Sequence, residues 1–212
     1  MAINFRVVDL YNGDSVTDFQ AAAAAGLLGV IHKATTGATG HDSMYAARRA
    51  SALAAGLLWG AYHWGTAAPV DDQVNNFLHI AQPDATTLVA LDFEATPGNQ
   101  MTLPMAKEFL TKIEQKLGRK AVLYGGGLLK ASLGHNPDPG LAAHRLWLAH
   151  YNQNPVCPPG WNKYWLWQYT DNKNDLQLQP SSCEGIPGNT AGDLDCNSFD
   201  GDAARLKQEW AS

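Results

Sequence analysis

A chain of 212 residues with 45% hydrophobic and 17% charged side chains has enough apolar material for a core, and its length suits one domain spanning 1–212. The net charge of -5 comes without any cluster of Lys and Arg, which argues against nucleic acid, because phosphate binding needs such a cluster. The opening MAINFRVVDLY has no charged leader before a long apolar stretch, and no run reaches about 18 apolar residues, so neither a signal peptide nor membrane insertion is expected.

The first apolar segment, FRVVDL (5–10), reads as a strand. A helix is expected over 15–25, opened by SVTD, where Ser15 and Asp18 fit a capping box. Then comes an internal repeat. AGLLGVIHKATTG (25–37) and AGLLWGAYHWGTA (55–67) are offset by 30 residues, about the length of one βα unit. In each copy an Ala-rich helical stretch ends at a Gly and an apolar strand follows. The repeat gives strands GVIHKA (29–34) and LLWGAYHW (57–64), with a helix over 43–55 between them. A helix at 70–81, the strand LVALDFE (88–94), a helix at 102–117 and the strand KAVLYG (120–125) continue the alternation. A short helix can follow. The last strands, RLWLAHY (145–151), YWLWQYT (164–170) and GDLDCN (192–197), are joined by loops rich in Pro, Asn and Gly. Eight strands and about five helices make an α/β chain, read as an irregular TIM-like barrel that loses its helices towards the C-terminus. The competing arrangement is an open doubly wound sheet.

In such a barrel the chemistry sits at the C-terminal ends of the strands. Those ends carry Asp9, Lys33, His63, Asp92 with Glu94, Tyr124, Tyr151, Gln168, and Asp195 with Asn197. Any one of them has an ordinary explanation; Asp9 alone could cap a turn. Four carboxylates at three strand ends are another matter, since a closed barrel gathers them around one mouth. LDFE (91–94) is the sharpest signal. Residues two apart on a strand share a face, about 6 to 7 Å apart. Two carboxyls that close in a partly apolar pocket cannot both ionise freely, so one keeps its proton near neutral pH. A protonated carboxyl beside an ionised one is the equipment for breaking a glycosidic bond. The alternative is that Glu94 caps the next turn and only Asp92 points inward.

Other signals are weaker. YGGG (124–127) lacks the Lys and Ser/Thr of a phosphate loop and reads as a strand-to-helix turn needing positive φ. The seven His show no H-E-x-x-H, so no metal and no cofactor is expected. His63, in YHWG, reads as a site-lining residue or a core hydrogen bonder. Of the three cysteines, Cys157 and Cys183 lie in loops and could pair in an oxidising compartment; the alternative is three reduced thiols.

Taken in order, DLYNGD (9–14), KATTG (33–37), GAYHWG (60–65), LDFE (91–94), LWLAHY (146–151), WQYT (167–170) and DLDCNSFDG (193–201) resemble the glycoside hydrolase family 25 muramidases. The resemblance runs from about residue 5 to 201. It implies an irregular barrel and cleavage of the β-1,4 bond between N-acetylmuramic acid and N-acetylglucosamine in peptidoglycan. By matching motif it makes Glu94 the general acid, Asp92 its partner carboxylate, and Asp9 and Asp195 the other two acids. Tyr62, Tyr124, Trp147, Tyr151 and Gln168 match groove-lining positions, and Lys33 and His63 complete the expected substrate-binding set. Two departures bear on the groove: Thr36 and Asn12 stand where the family often has Glu and Gln.

On this reading the partner is the glycan strand of peptidoglycan, and the protein is a monomer. It would be made in the cytoplasm and act on the bacterial wall after release or export, as a phage-type endolysin or, second, a secreted toxin. Three alternatives compete. A metal-dependent polysaccharide deacetylase would hold an ion with Asp9, His63, Asp92 and Asp195. A non-catalytic sugar-binding module would keep the groove alone. A chitinase-like enzyme would act on plain N-acetylglucosamine polymers.

Overall fold

A computed structural model describes residues 5–170, 186 and 194–212. Its backbone follows the expected alternation. Strand β1 (Phe5–Leu10) leads to helix α1 (Phe19–Ala24), then β2 (Gly29–Thr36) and a two-residue strand β3 (Gly40–His41). Next come α2 (Tyr45–Ala54), β4 (Leu58–Trp64), α3 (Val70–Ala81), β5 (Leu88–Asp92) and α4 (Leu103–Leu117). The remainder is β6 (Val122–Gly125), α5 (Gly127–Leu133), α6 (Pro139–Ala142), β7 (Leu146–Ala149), β8 (Leu166–Thr170), β9 (Asp195–Phe199) and α7 (Ala203–Glu209). There are thus seven helices among the described residues, two more than expected. The short α6 starts at a Pro behind the Asp138 cap, and α7 lies past the last motif.

The sheet closes. Its order runs β1-β9-β8-β7-β6-β5-β4-β2, and β1 also pairs with β2, which rules out the open sheet. Seven of the barrel strands run parallel. β9 does not: it inserts antiparallel between β8 and β1. β3 only folds back on the end of β2.

Side-chain alternation divides the apolar residues into two layers. Val7, Ile31, Leu88, Val122 and Leu166 fill the barrel interior, with Phe199, Leu206 and Trp210 towards its lower end. Val8, Val30, Leu91 and Leu123 face outwards onto Phe77, Phe109 and Ile113 of the surrounding helices. Helix α7 plugs the bottom. The Trp210 indole donates to the Trp59 carbonyl at 2.7 Å, and its ring lies 2.7 Å from where a Cβ on Gly29 would sit, so β2 must begin with a glycine.

The repeat is structural. Gly26 (φ 102°) and Gly56 (φ 75°) end α1 and α2 in the left-handed region. In both copies the leucine after that glycine donates back to the helix, Leu27 to Ala22 O at 3.1 Å and Leu57 to Ala52 O at 3.0 Å. Two local expectations need correction. Ser15 is not part of the α1 cap: Asp18 is the N-cap and accepts from Ala21 N. The YGGG glycines have no positive φ; Gly126 is required because the Ala149 carbonyl lies 2.7 Å from its would-be Cβ. Cys157 is a free thiol, so it does not pair with Cys183, which lies outside the described residues.

Candidate active site

Each inward row of side chains climbs from apolar at the bottom to polar at the top. On β1 it runs Val7, Asp9; on β2, Ile31, Lys33; on β5, Leu88, Ala90, Asp92; on β8, Leu166, Gln168. The tops meet in a cavity of about 320 Å³, lined by all four expected acids together with Lys33, Tyr62, Tyr124, Trp147 and Gln168. Asp195 reaches it from the N-terminal end of its strand. Because β9 is antiparallel, that end is at the mouth, where Asp195 pairs in register with Asp9.

Asp9 is buried and held by two amides. Gln168 Nε2 donates to its two oxygens at 3.1 and 3.0 Å, and Asn197 Nδ2 donates to Oδ2 at 2.7 Å. Both amides are oriented in turn. Gln168 Oε1 accepts from the Tyr124 and Tyr151 hydroxyls, each at 2.8 Å, and Asn197 Oδ1 accepts from the Trp147 indole at 2.6 Å. Burial nevertheless dominates. It raises Asp9 from 3.8 to about 7, against the lowering effect of the Asn197 and Gln168 hydrogen bonds.

Asp92 and Glu94 form the second acidic pair. β5 ends at Asp92, and Glu94 stands in the following loop. That loop keeps the strand's course for one more residue, because Phe93 N donates to Tyr124 O at 3.1 Å. Gln100 then pins it, donating to the Glu94 carbonyl and accepting from Thr96 N. Asp92 Oδ1 is buried and receives no N–H or O–H hydrogen bond among the described residues. The two carboxyls contact each other, and such a contact needs a proton between them. Burial first, then the charges of Glu94 and Asp9, push Asp92 well above its ordinary range. Burial also raises Glu94, but the hydrogen bond from Asp92 and the charge of Lys33 work against the rise. Both carboxyls are thus held above their ordinary range, Asp92 well above it.

A second cavity of about 350 Å³ continues the groove past Glu94 and Tyr124, along Gly126, Gly127, His150 and Tyr151. Tyr151 thus lies beside the main cavity, reaching it only through Gln168. His63 does not line either one. Its side chain points out of the barrel, stacked on Phe109 at 4.8 Å. Gln73 Oε1 accepts from Nε2 at 3.0 Å, leaving Nδ1 to accept from the Thr35 hydroxyl at 2.7 Å. Desolvation lowers its pKa to about 4, so it is a neutral core residue. Tyr11 and Trp64 do line the main cavity and were missed. Each lies two residues beyond an inward residue, Asp9 and Tyr62, so strand parity was the signal available.

The model of the glycosyl hydrolases family 25 matches residues 8–177 of this chain. The chain belongs to glycosyl hydrolase family 25. Lysozyme M1 of Streptomyces globisporus is 25% identical over 94% of this chain and 69% of its own length. The bacterial lysozyme of Streptomyces coelicolor superposes with a TM-score of 0.80 at 24% identity, over 96% of this chain and 95% of that one. The muramidase of Acremonium alcalophilum does so with a TM-score of 0.79 at 27% identity, over 100% and 99%. This family 25 member is a glycoside hydrolase of the lysozyme type, acting on peptidoglycan. The deacetylase and binding-module readings have no support beside it.

Proposed function

We propose that this muramidase cleaves the bond between N-acetylmuramic acid and N-acetylglucosamine with Glu94 as the acid that protonates the leaving oxygen. The observation that carries the assignment is the pair of touching carboxyls, Asp92 buried and Glu94 beside it, that line one cavity at the top of the barrel. A substrate acetamide N–H reaching Asp92 would supply the donor that its buried carboxyl lacks. Asp92 would then ionise, and its proton would pass along the shared hydrogen bond to Glu94. Glu94 gives that proton to the glycosidic oxygen as the bond to the anomeric carbon breaks. Water returns a hydroxyl to that carbon and a proton to the carboxyl pair. Asp9 and Asp195 face the developing positive charge. Tyr62, Tyr124 and Trp147 form the apolar walls of the sugar site, and Tyr151 and Gln168 set its edge.

The four acids meet at the mouth of one barrel, which supports a single catalytic domain, and the proposal extends to a monomer acting on the wall's glycan strands in the manner of an endolysin. The test is digestion of purified peptidoglycan with mass analysis of the new reducing ends, with and without a chelator. Reducing N-acetylmuramic acid, formed equally in both, is the expected product. Reducing N-acetylglucosamine, or activity lost to the chelator and restored by a metal, overturns the assignment.

A further inference from the structure

Among the described residues Lys33 is the only cationic side chain lining the main cavity, and it forms no ion pair with any of them. Its ammonium lies instead against aromatic faces, 4.5 Å from the centre of the Tyr11 ring and 5.9 Å from that of Trp64. Trp64 is fixed by its indole, which donates to Thr96 Oγ1 at 2.8 Å. Tyr11 is 46% exposed, so packing alone does not fix its ring. The loop that carries it is built for the purpose. Arg48 of α2 is buried behind it and donates to the Tyr11 carbonyl at 2.7 Å, to His32 Nε2 at 3.1 Å and to the Asp14 carbonyl. Tyr11 N donates to Asp14 Oδ2 at 2.6 Å, and Asn12 N to Asp42 Oδ2 at 2.8 Å. The ring then folds over Gly13 so closely that a Cβ there would lie 2.5 Å from it.

We propose that Tyr11 is a positioning residue for catalysis: its ring, seated on Gly13 and backed by Arg48, holds the Lys33 ammonium beside Asp92 and Glu94, and Lys33 serves to set their protonation more than to bind sugar. The proposal rests on those two carboxyls being the reacting pair. The groups facing them otherwise are the acids Asp9 and Asp195 and the neutral phenols Tyr62 and Tyr124. Among the described residues Lys33 is thus the sole positive charge opposing a set of acids. Its charge acts to lower both Asp92 and Glu94.

The sign follows. Without a cation held there, both carboxyls titrate higher, so both limbs of the pH–rate profile move to higher pH. Lys33→Met should move them by about one unit. Tyr11→Leu should give a smaller shift the same way, and Tyr11→Phe, which keeps the ring, should restore the wild-type midpoints. Gly13→Ala keeps the tyrosine but dislodges it, and should behave like Tyr11→Leu. Melting temperatures measured alongside show that each variant is folded. A raised KM with unmoved midpoints in Lys33→Met would make Lys33 a sugar ligand and overturn the proposal. So would midpoints unmoved in both Tyr11→Leu and Gly13→Ala. If Glu94→Gln keeps full turnover, the assignment of the carboxyl pair fails instead, and that outcome is read independently of these variants.

Discussion

Gln168 turns its amide nitrogen towards Asp9, 3.0 and 3.1 Å from the two carboxyl oxygens, and its amide oxygen towards two tyrosine hydroxyls. One side chain therefore ties together β1, β6, β8 and the loop after β7. Gln168→Leu would leave buried Asp9 with Asn197 alone of its two amide donors and take the acceptor away from the buried Tyr124 hydroxyl. A buried polar group left unsatisfied costs about 1–3 kcal/mol. Urea unfolding should show a loss of at least that size, and the remaining folded enzyme should have reduced kcat.

Glu94→Gln keeps shape and hydrogen bonding but has no carboxylic proton to give. It should lower kcat on peptidoglycan by about 10²-fold or more, the scale of general acid catalysis, with little change in melting temperature. Asp92→Asn leaves one carboxyl titrating where two shared a proton. The alkaline limb of the pH–rate profile should move down, because the second, higher titration of the pair no longer exists. Near wild-type turnover in Glu94→Gln would sink the acid assignment.

Asp9 titrates at about 7 when folded, against 3.8 as its ordinary value. Between these values the folded chain holds a proton that the unfolded chain has lost. The stability this contributes is fully present below about 3.8 and disappears as pH rises through 7. His32 and His63, lowered to about 4 by burial, act in the opposite sense, losing stability as pH falls below 6.5. The two effects overlap, so the informative quantity is a difference. Asp9→Asn should gain stability relative to wild type as pH rises from 4 to 7 in denaturation experiments. A difference independent of pH would show that Asp9 is not buried as a neutral acid.

His63→Ala should cost stability with little effect on catalysis. It removes a ring stacked on Phe109 and takes away the acceptor of the buried Thr35 hydroxyl, an expected loss of about 1–3 kcal/mol or more. KM for peptidoglycan fragments should stay within about two-fold of wild type, on the general acid scale a negligible change. A tenfold rise in KM at unchanged stability would return His63 to the sugar site.

Much of this site was legible because strand parity and the barrel rule act together. Given Asp92, parity points to Glu94; given Asp9 and Tyr62, it points to Tyr11 and Trp64, which reading only the last polar residue of each strand passed over. The same parity excludes His63, which sits between two inward residues. The direction of β9 was not legible. Five residues carry no mark of orientation, and Asp195 was placed at the mouth for a reason that holds only in a parallel strand. How far Asp92 is raised depends on desolvation by the whole barrel, which no local pattern encodes. Nor does any spacing reveal Arg48 behind the Tyr11 loop, since that contact joins residues from different βα units.

The pairing of β9 with β1 also sets a timetable. The Asn197–Asp9 hydrogen bond joins residues 188 apart in sequence, and the register of Asp195 with Asp9 is of the same range. Contacts of such separation close a large loop and form late. At about 5–20 residues per second, roughly ten to forty seconds of synthesis separate the first acid from the last. Through that interval a ribosome-bound chain carries Asp9, Asp92 and Glu94 without the strand that seals the barrel around them. A wall-degrading activity is thereby withheld from the nascent chain, and appears only when its two ends have found each other.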